Sequence, residues 1–99
     1  MPKKILYIKP TSYSTVNQET KEYLEKYKDE NTLIDVVNVA KGPKHLENLY
    51  YEALASGEIL RLVKEAENKG YDAAIIGCFY DPVLYAAREI CERMVVTAP

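Results

Sequence analysis

The sequence predicts an α/β domain of three layers, with helices on both sides of a four-stranded parallel sheet in the flavodoxin-like order 2-1-3-4. Three observations carry that expectation. Strand-like and helix-like segments alternate along the chain with no hairpin signal between them, the pattern of parallel strands joined by right-handed crossovers. Two strand segments, Ile5-Leu6-Tyr7-Ile8 and Ala73-Ala74-Ile75-Ile76-Gly77, are apolar throughout, as in strands covered on both faces, so they take the centre of the sheet. The chain has 99 residues, which allows one domain with a modest core, since about two-thirds of the unfolded surface is buried at this size.

The elements follow in order. The first strand ends at Lys9-Pro10, and the hydroxyl-rich loop Thr11-Ser12-Tyr13-Ser14-Thr15 comes next. Thr15 with Gln18 fits a capping box, so a helix is expected from there to about Asn31. Val16, Thr20, Tyr23, Leu24 and Tyr27 form its apolar stripe. The second strand, Leu33–Val39, carries Asp35 and Asn38 and suits a sheet edge. After the turn Ala40-Lys41-Gly42-Pro43, Leu46, Leu49, Tyr50, Ala53 and Leu54 form one helical stripe. Ile59, Leu60, Val63 and Ala66 form another, rotated from the first. Gly57 costs roughly 1 kcal/mol inside a helix, so two helices, or one broken at Ser56-Gly57, are expected. The run Lys64–Lys69 reads as a solvated face, and Lys69-Gly70 as the helix end. After the third strand, Asp81-Pro82 reads as a cap and first turn. Val83, Leu84, Ala87, Ile90 and Cys91 then form the buried face of the last helix. Met94-Val95-Val96-Thr97 is the fourth strand. The whole of 1–99 is expected to be one lobe.

Composition narrows the function classes. Apolar residues make up 47% and charged residues 28%, the balance of a soluble globular domain. A net charge of −2 provides no basic field, so no nucleic-acid partner is expected. Cys78 and Cys91 do not form a metal-ligand pair or a disulfide framework, and no metal is expected. The opening Met1-Pro2-Lys3-Lys4 precedes too short an apolar run for a signal peptide or membrane span, so a cytoplasmic protein with no membrane partner is expected.

In sheets of this kind ligands bind at the carboxyl ends of the strands, where the winding direction switches. That point lies between the first and third strands, facing the loops Lys9–Thr15 and Cys78–Pro82. Cys78 ends a central strand shortly before a helix start, where backbone N–H groups favour the thiolate. Such a thiolate can serve as base or nucleophile. The same residue also reads as a small apolar core side chain, and the carboxylate of Asp81, a candidate cap for that helix, opposes thiolate formation. Cys91 lies on an apolar stripe and reads as core. The Thr11–Thr15 hydroxyls suit a carboxylate or phosphate cradle, or simply turns and caps. His45 reads as a surface or capping residue. A flavin-phosphate reading lacks the glycine that close backbone approach requires.

The segment from Asp72 through Gly77-Cys78-Phe79-Tyr80-Asp81-Pro82 to Ala86-Ala87-Arg88-Glu89 resembles the first cysteine motif of the aspartate/glutamate/hydantoin racemase superfamily. The similarity is greatest to its hydantoin and allantoin racemase branch. Gly42-Pro43 with Leu46-Glu47, the opening strand through Ile8-Lys9-Pro10-Thr11-Ser12, and Met94-Val95-Val96-Thr97 are similar to further family segments. Lys9 and Thr11 stand where the family carries asparagines. The resemblance implies a cofactor-independent racemase, an isomerase of two similar α/β lobes with an amino-acid or hydantoin-like substrate between them. Each lobe supplies one cysteine, and the pair remove and return a Cα proton from opposite faces. Cys78 would be one such base, Thr11 and Ser12 would sit where the family holds the substrate's polar groups, Pro10 would belong to the same substrate-binding loop, and Phe79 and Tyr80 would line the pocket. These 99 residues would correspond to the amino-terminal lobe only. The second thiol would then come from another lobe or another copy, making a homodimer or higher homo-oligomer the expected assembly. The alternative is a non-catalytic module of the same fold that binds a small carboxylate or phosphate, or serves assembly.

Overall fold

The computed structural model describes residues 2–11, 17–39 and 49–99. Along the chain run β1 (Lys3–Lys9), α1 (Asn17–Glu25), β2 (Thr32–Asn38), α2 (Leu49–Asn68), β3 (Ala73–Ile76), α3 (Leu84–Ile90) and β4 (Val95–Thr97). The strands form one sheet in the order β2-β1-β3-β4, and every neighbouring pair is parallel. This is the α/β topology the sequence predicts.

Register shows how the two faces differ. Leu6 pairs with Ala74, and Ile8 with Ile76, while Ala74 pairs with Val96. Paired residues share a face, because side chains alternate along a strand. All five are buried, and they pack against Ala55, Ile59, Val63 and Ala66 of α2 and Leu84 and Ala87 of α3. The opposite face carries Ile5, Tyr7, Ile34, Val36, Ile75 and Val95. The crossovers to β2 and to β3 run in opposite directions along the sheet, so right-handed connections place α1 on this second face. It sits over the β2 edge, where Asn17 Nδ2 donates to Asn38 Oδ1 at 2.9 Å.

The helices depart from expectation in instructive ways. α1 ends at Glu25, earlier than the spacing suggests, and none of its residues is buried. The rings of Tyr23 and Tyr27 instead pair with each other at 5.2 Å between centroids. Thr15, Val16, Gly42-Pro43 and His45 lie outside the described residues. α2 is a single unbroken helix of 20 residues. Ser56 stays within it by donating its hydroxyl to Glu52 O at 3.0 Å, and Gly57 simply faces solvent. Only the later stripe reaches the core. Twenty residues of helix span roughly 30 Å, whereas the four residues of β3 span about 13 Å. The first turns of α2 therefore overhang the sheet, which leaves Leu49, Tyr50 and Leu54 exposed.

Two further expectations are corrected at α3 and at the end of α2. The helix begins at Leu84, not at Asp81-Pro82, and Val83 occupies its cap position in the left-handed region with no side-chain cap bond. The run Lys64–Lys69 is not wholly a solvated face, since Glu67 is only 4% exposed. Its Oε2 accepts backbone N–H groups from Glu92 at 2.9 Å, Arg93 at 2.8 Å and Met94 at 3.0 Å. Its Oε1 lies 3.1 Å from Lys64 Nζ. These bonds to an ionised acceptor hold the Glu67 carboxyl at about 2, well below the usual range.

Candidate active site

The carboxyl ends of β1 and β3 are adjacent, as the topology requires. Gly77 N donates to Ile8 O at 2.8 Å, adding one rung beyond the last paired residues, Ile8 and Ile76. Cys78 follows directly. Its N–H donates to Ile76 O at 2.9 Å and its carbonyl accepts Asp81 N–H at 3.0 Å. Cys78 therefore opens a turn whose two central residues are Phe79 and Tyr80. Central turn residues point away from the chain reversal, and Phe79 is 90% exposed. The Cys78 side chain is half-buried and packs against the core.

The chain beyond the turn is strained. Asp81 has φ 51° and Val83 φ 52°, the left-handed region. Asp tolerates it through local hydrogen bonding, whereas a β-branched valine pays a steric penalty there. The turn and this segment place five residues between Cys78 and the first residue of α3, Leu84. Asp81 offers its backbone carbonyl to Leu84 N–H at 3.3 Å where a side-chain cap was expected.

The first loop contributes on the other side. Pro10 is buried and Thr11 half-buried just beyond β1; Ser12 lies outside the described residues. Lys9 O accepts Val39 N–H at 3.1 Å, which ties the start of this loop to the end of β2. The structure thus brings Pro10 and Thr11 to the same end of the sheet as Cys78, Phe79 and Tyr80. Cys91 sits at the opposite end of α3, half-buried, and burial, then the nearby Glu67 carboxylate, push its thiol up. Both cysteines are free. Among the described residues no cluster of His, Cys, Asp and Glu suits a metal ion. Among the same residues no helix is long and apolar enough to cross a membrane.

Two residues at this end escape a reading based on motifs alone, Tyr7 and Gly77. The Tyr7 ring fills the space where a Cβ on Gly77 would stand, with Cζ 2.6 Å and Oη 2.8 Å from that position. A glycine closing an apolar strand is the available signal, because it marks close approach of another group. Burial, then the charge of Cys78, push the Tyr7 phenol up.

Comparison with known proteins places this arrangement. Residues 5–98 match the family model of Asp/Glu/Hydantoin racemase. A hydantoin racemase from Paenarthrobacter aurescens is 34% identical over 94 residues, which make up 94% of this chain and 40% of that protein. A second, from Pseudomonas sp. (strain NS671), is 31% identical and is matched over 37% of its length. The structure of allantoin racemase from Klebsiella pneumoniae superposes with a TM-score of 0.87 at 25% identity, over 96% of this chain and 39% of the other. The chain thus spans about two-fifths of the length of the curated relatives it matches. With 5–98 accounted for by one family model, the chain belongs to the Asp/Glu/hydantoin racemase family.

Proposed function

We propose that residues 1–99 form one lobe of a cofactor-independent racemase acting on hydantoin-like or amino-acid substrates, with Cys78 as one of its two acid/base thiols. The observation that carries this reading is the position of Cys78. It follows a central strand at the carboxyl end of the sheet, beside the first loop, in a chain of the racemase family.

The chemistry requires two thiols. A proton on a carbon next to a carbonyl is weakly acidic, so a base must touch it while the developing negative charge is stabilised. In one direction the Cys78 thiolate takes the Cα proton and becomes a thiol. The electron pair left on carbon delocalises into the carbonyl. A second thiol on the far face delivers a proton to that carbon and becomes the thiolate. No net proton is consumed, and the two sulfurs exchange protonation states. Thr11 and Ser12 supply hydroxyl donors for the substrate's oxygens, and Pro10, Phe79 and Tyr80 shape the pocket. The second thiol comes from another lobe or from a second copy.

An apolar rim supports a covered carboxyl end. Right-handed crossovers bring the start of α2 to the same end as the Cys78 turn, so exposed Leu49, Tyr50 and Leu54 share that end with Phe79 and Tyr80. Exposed apolar residues mark an association surface where they form one contiguous patch. The rim also suits a non-catalytic assembly module, which the following test separates. The protein is incubated with 5-substituted hydantoins and amino acids in heavy water, and optical rotation and Cα deuterium incorporation are followed. Cys78→Ser is expected to abolish exchange. Exchange that persists at the parent rate in Cys78→Ser would overturn the reading, and association without exchange would favour the assembly module.

A further inference from the structure

We propose that Tyr7 is a positioning residue for Cys78, its ring seated on Gly77 and clamping the peptide that carries the thiol. This rests on the reading of Cys78 as an acid/base group, because only then does its placement set a rate.

The geometry is specific. Regular pairing of β1 with β3 ends at Ile8 and Ile76, and Gly77 adds the last rung through its bond to Ile8 O. From there the chain turns within two residues and enters the strained stretch containing Asp81 and Val83. Such strain persists only where surrounding structure holds the backbone. Glycine, with no Cβ, is the residue least able to hold its own conformation, yet it stands immediately before the candidate base. The Tyr7 ring occupies the missing Cβ volume, with Cζ 2.6 Å and Oη 2.8 Å from the position it would take. Tyr7 projects to the sheet face opposite Leu6 and Ile8, whereas Cys78 packs with the core on the other face. The contact the ring makes with this segment is to the Gly77 backbone, one residue before the thiol. An aromatic ring suits this task because it is flat, rigid and broad enough to cover the glycine. Displacements of about 1 Å at a reacting group can cost on the order of a hundredfold in rate.

The test is alkylation of the native protein by iodoacetamide, with peptide mass spectrometry reporting Cys78 and Cys91 separately in one sample. Tyr7→Ala is expected to raise the Cys78 rate about fivefold or more through local opening, while Cys91 keeps its rate. Tyr7→Phe, which retains the ring, is expected to restore the parent rate at Cys78. An unchanged Cys78 rate in Tyr7→Ala, equal acceleration of both cysteines, or failure of Tyr7→Phe to restore would each overturn the inference. A double-mutant cycle reads the seat itself. Gly77→Ala is expected to lower the urea midpoint less in the Tyr7→Ala background than in the parent, and equal losses would overturn the clamp. Neither measurement uses catalysis. Persistence of exchange in Cys78→Ser would therefore remove the acid/base reading alone, and a Tyr7-independent Cys78 would remove the clamp alone.

Discussion

Glu67 shows how a charged run can hide a buried residue. It falls four residues after Val63, at the border of the buried stripe, whereas Glu65 lies on the far side of the helix, where its carboxylate pairs with exposed Arg61 and Lys69 at 2.8 Å each. Surface pairs of that kind contribute little. Glu67 differs because the chain between α3 and β4 offers it three N–H groups, from positions 25 to 27 residues later. That information exists only in the tertiary fold. The bonds depress the carboxyl from its ordinary 4.5 to about 2, so the native state favours the ionised form. The stabilisation is therefore full above about 4.5 and fades as pH falls toward about 2. Glu67→Gln keeps the shape but removes the charge. It is expected to lower the urea midpoint at pH 7, with the gap to the parent narrowing as the pH is taken down toward 2. A gap independent of pH would show that the charge is not what stabilises the contact.

At the level of elements, continuity in α2 is set by where its residues face rather than by propensity alone. The sequence places Gly57 where two apolar stripes change phase, which reads as a break. The helix runs through because Ala55, Ile59, Val63 and Ala66 dock on the sheet, and that burial outweighs one weak helix former. A Cβ on Gly57 would meet nothing within 4 Å. Gly57→Ala should thus stabilise the fold by about 1 kcal/mol, raising Tm by about 4–8 °C for a domain of this size; thermal denaturation followed by circular dichroism checks it. The start of α3 leads to a different expectation. Asp81 makes no cap bond to α3 but sits at φ 51°, so Asp81→Ala should cost about 1 kcal/mol through the poor fit of alanine to the left-handed region, whereas Asp81→Asn should cost little, and urea denaturation checks both. Strands were legible to within about two residues because apolar runs are a direct record of burial. Helix ends were less so: the Asp-Pro signal at the start of α3 is local, while the turn after Cys78 and two left-handed residues displace the helix.

At the scale of the molecule, topology was readable from the sequence because it follows from few facts: two strands apolar throughout, one polar edge strand and the handedness of crossovers. The position of Cys78 followed from that topology. The Tyr7–Gly77 contact did not, since it depends on the register between β1 and β3 and on the direction of one ring. The proposed mechanism also makes a demand at this scale, since it needs two thiols to meet across the substrate. A face-to-face pair related by a twofold axis sets each residue near that axis against its own copy, so one Cys78 can oppose another. Mixing the parent with Cys78→Ser then has a quantitative outcome. Each mixed pair holds one Cys78 thiol and cannot remove the proton from one face and deliver it to the other, so racemisation follows the square of the parent fraction. At equal amounts, allowed to exchange partners, the rate of loss of optical rotation per total protein is expected to fall to about a quarter of the undiluted value. A fall to one half would show that each copy works by itself, and the requirement for two opposed Cys78 thiols would be lost.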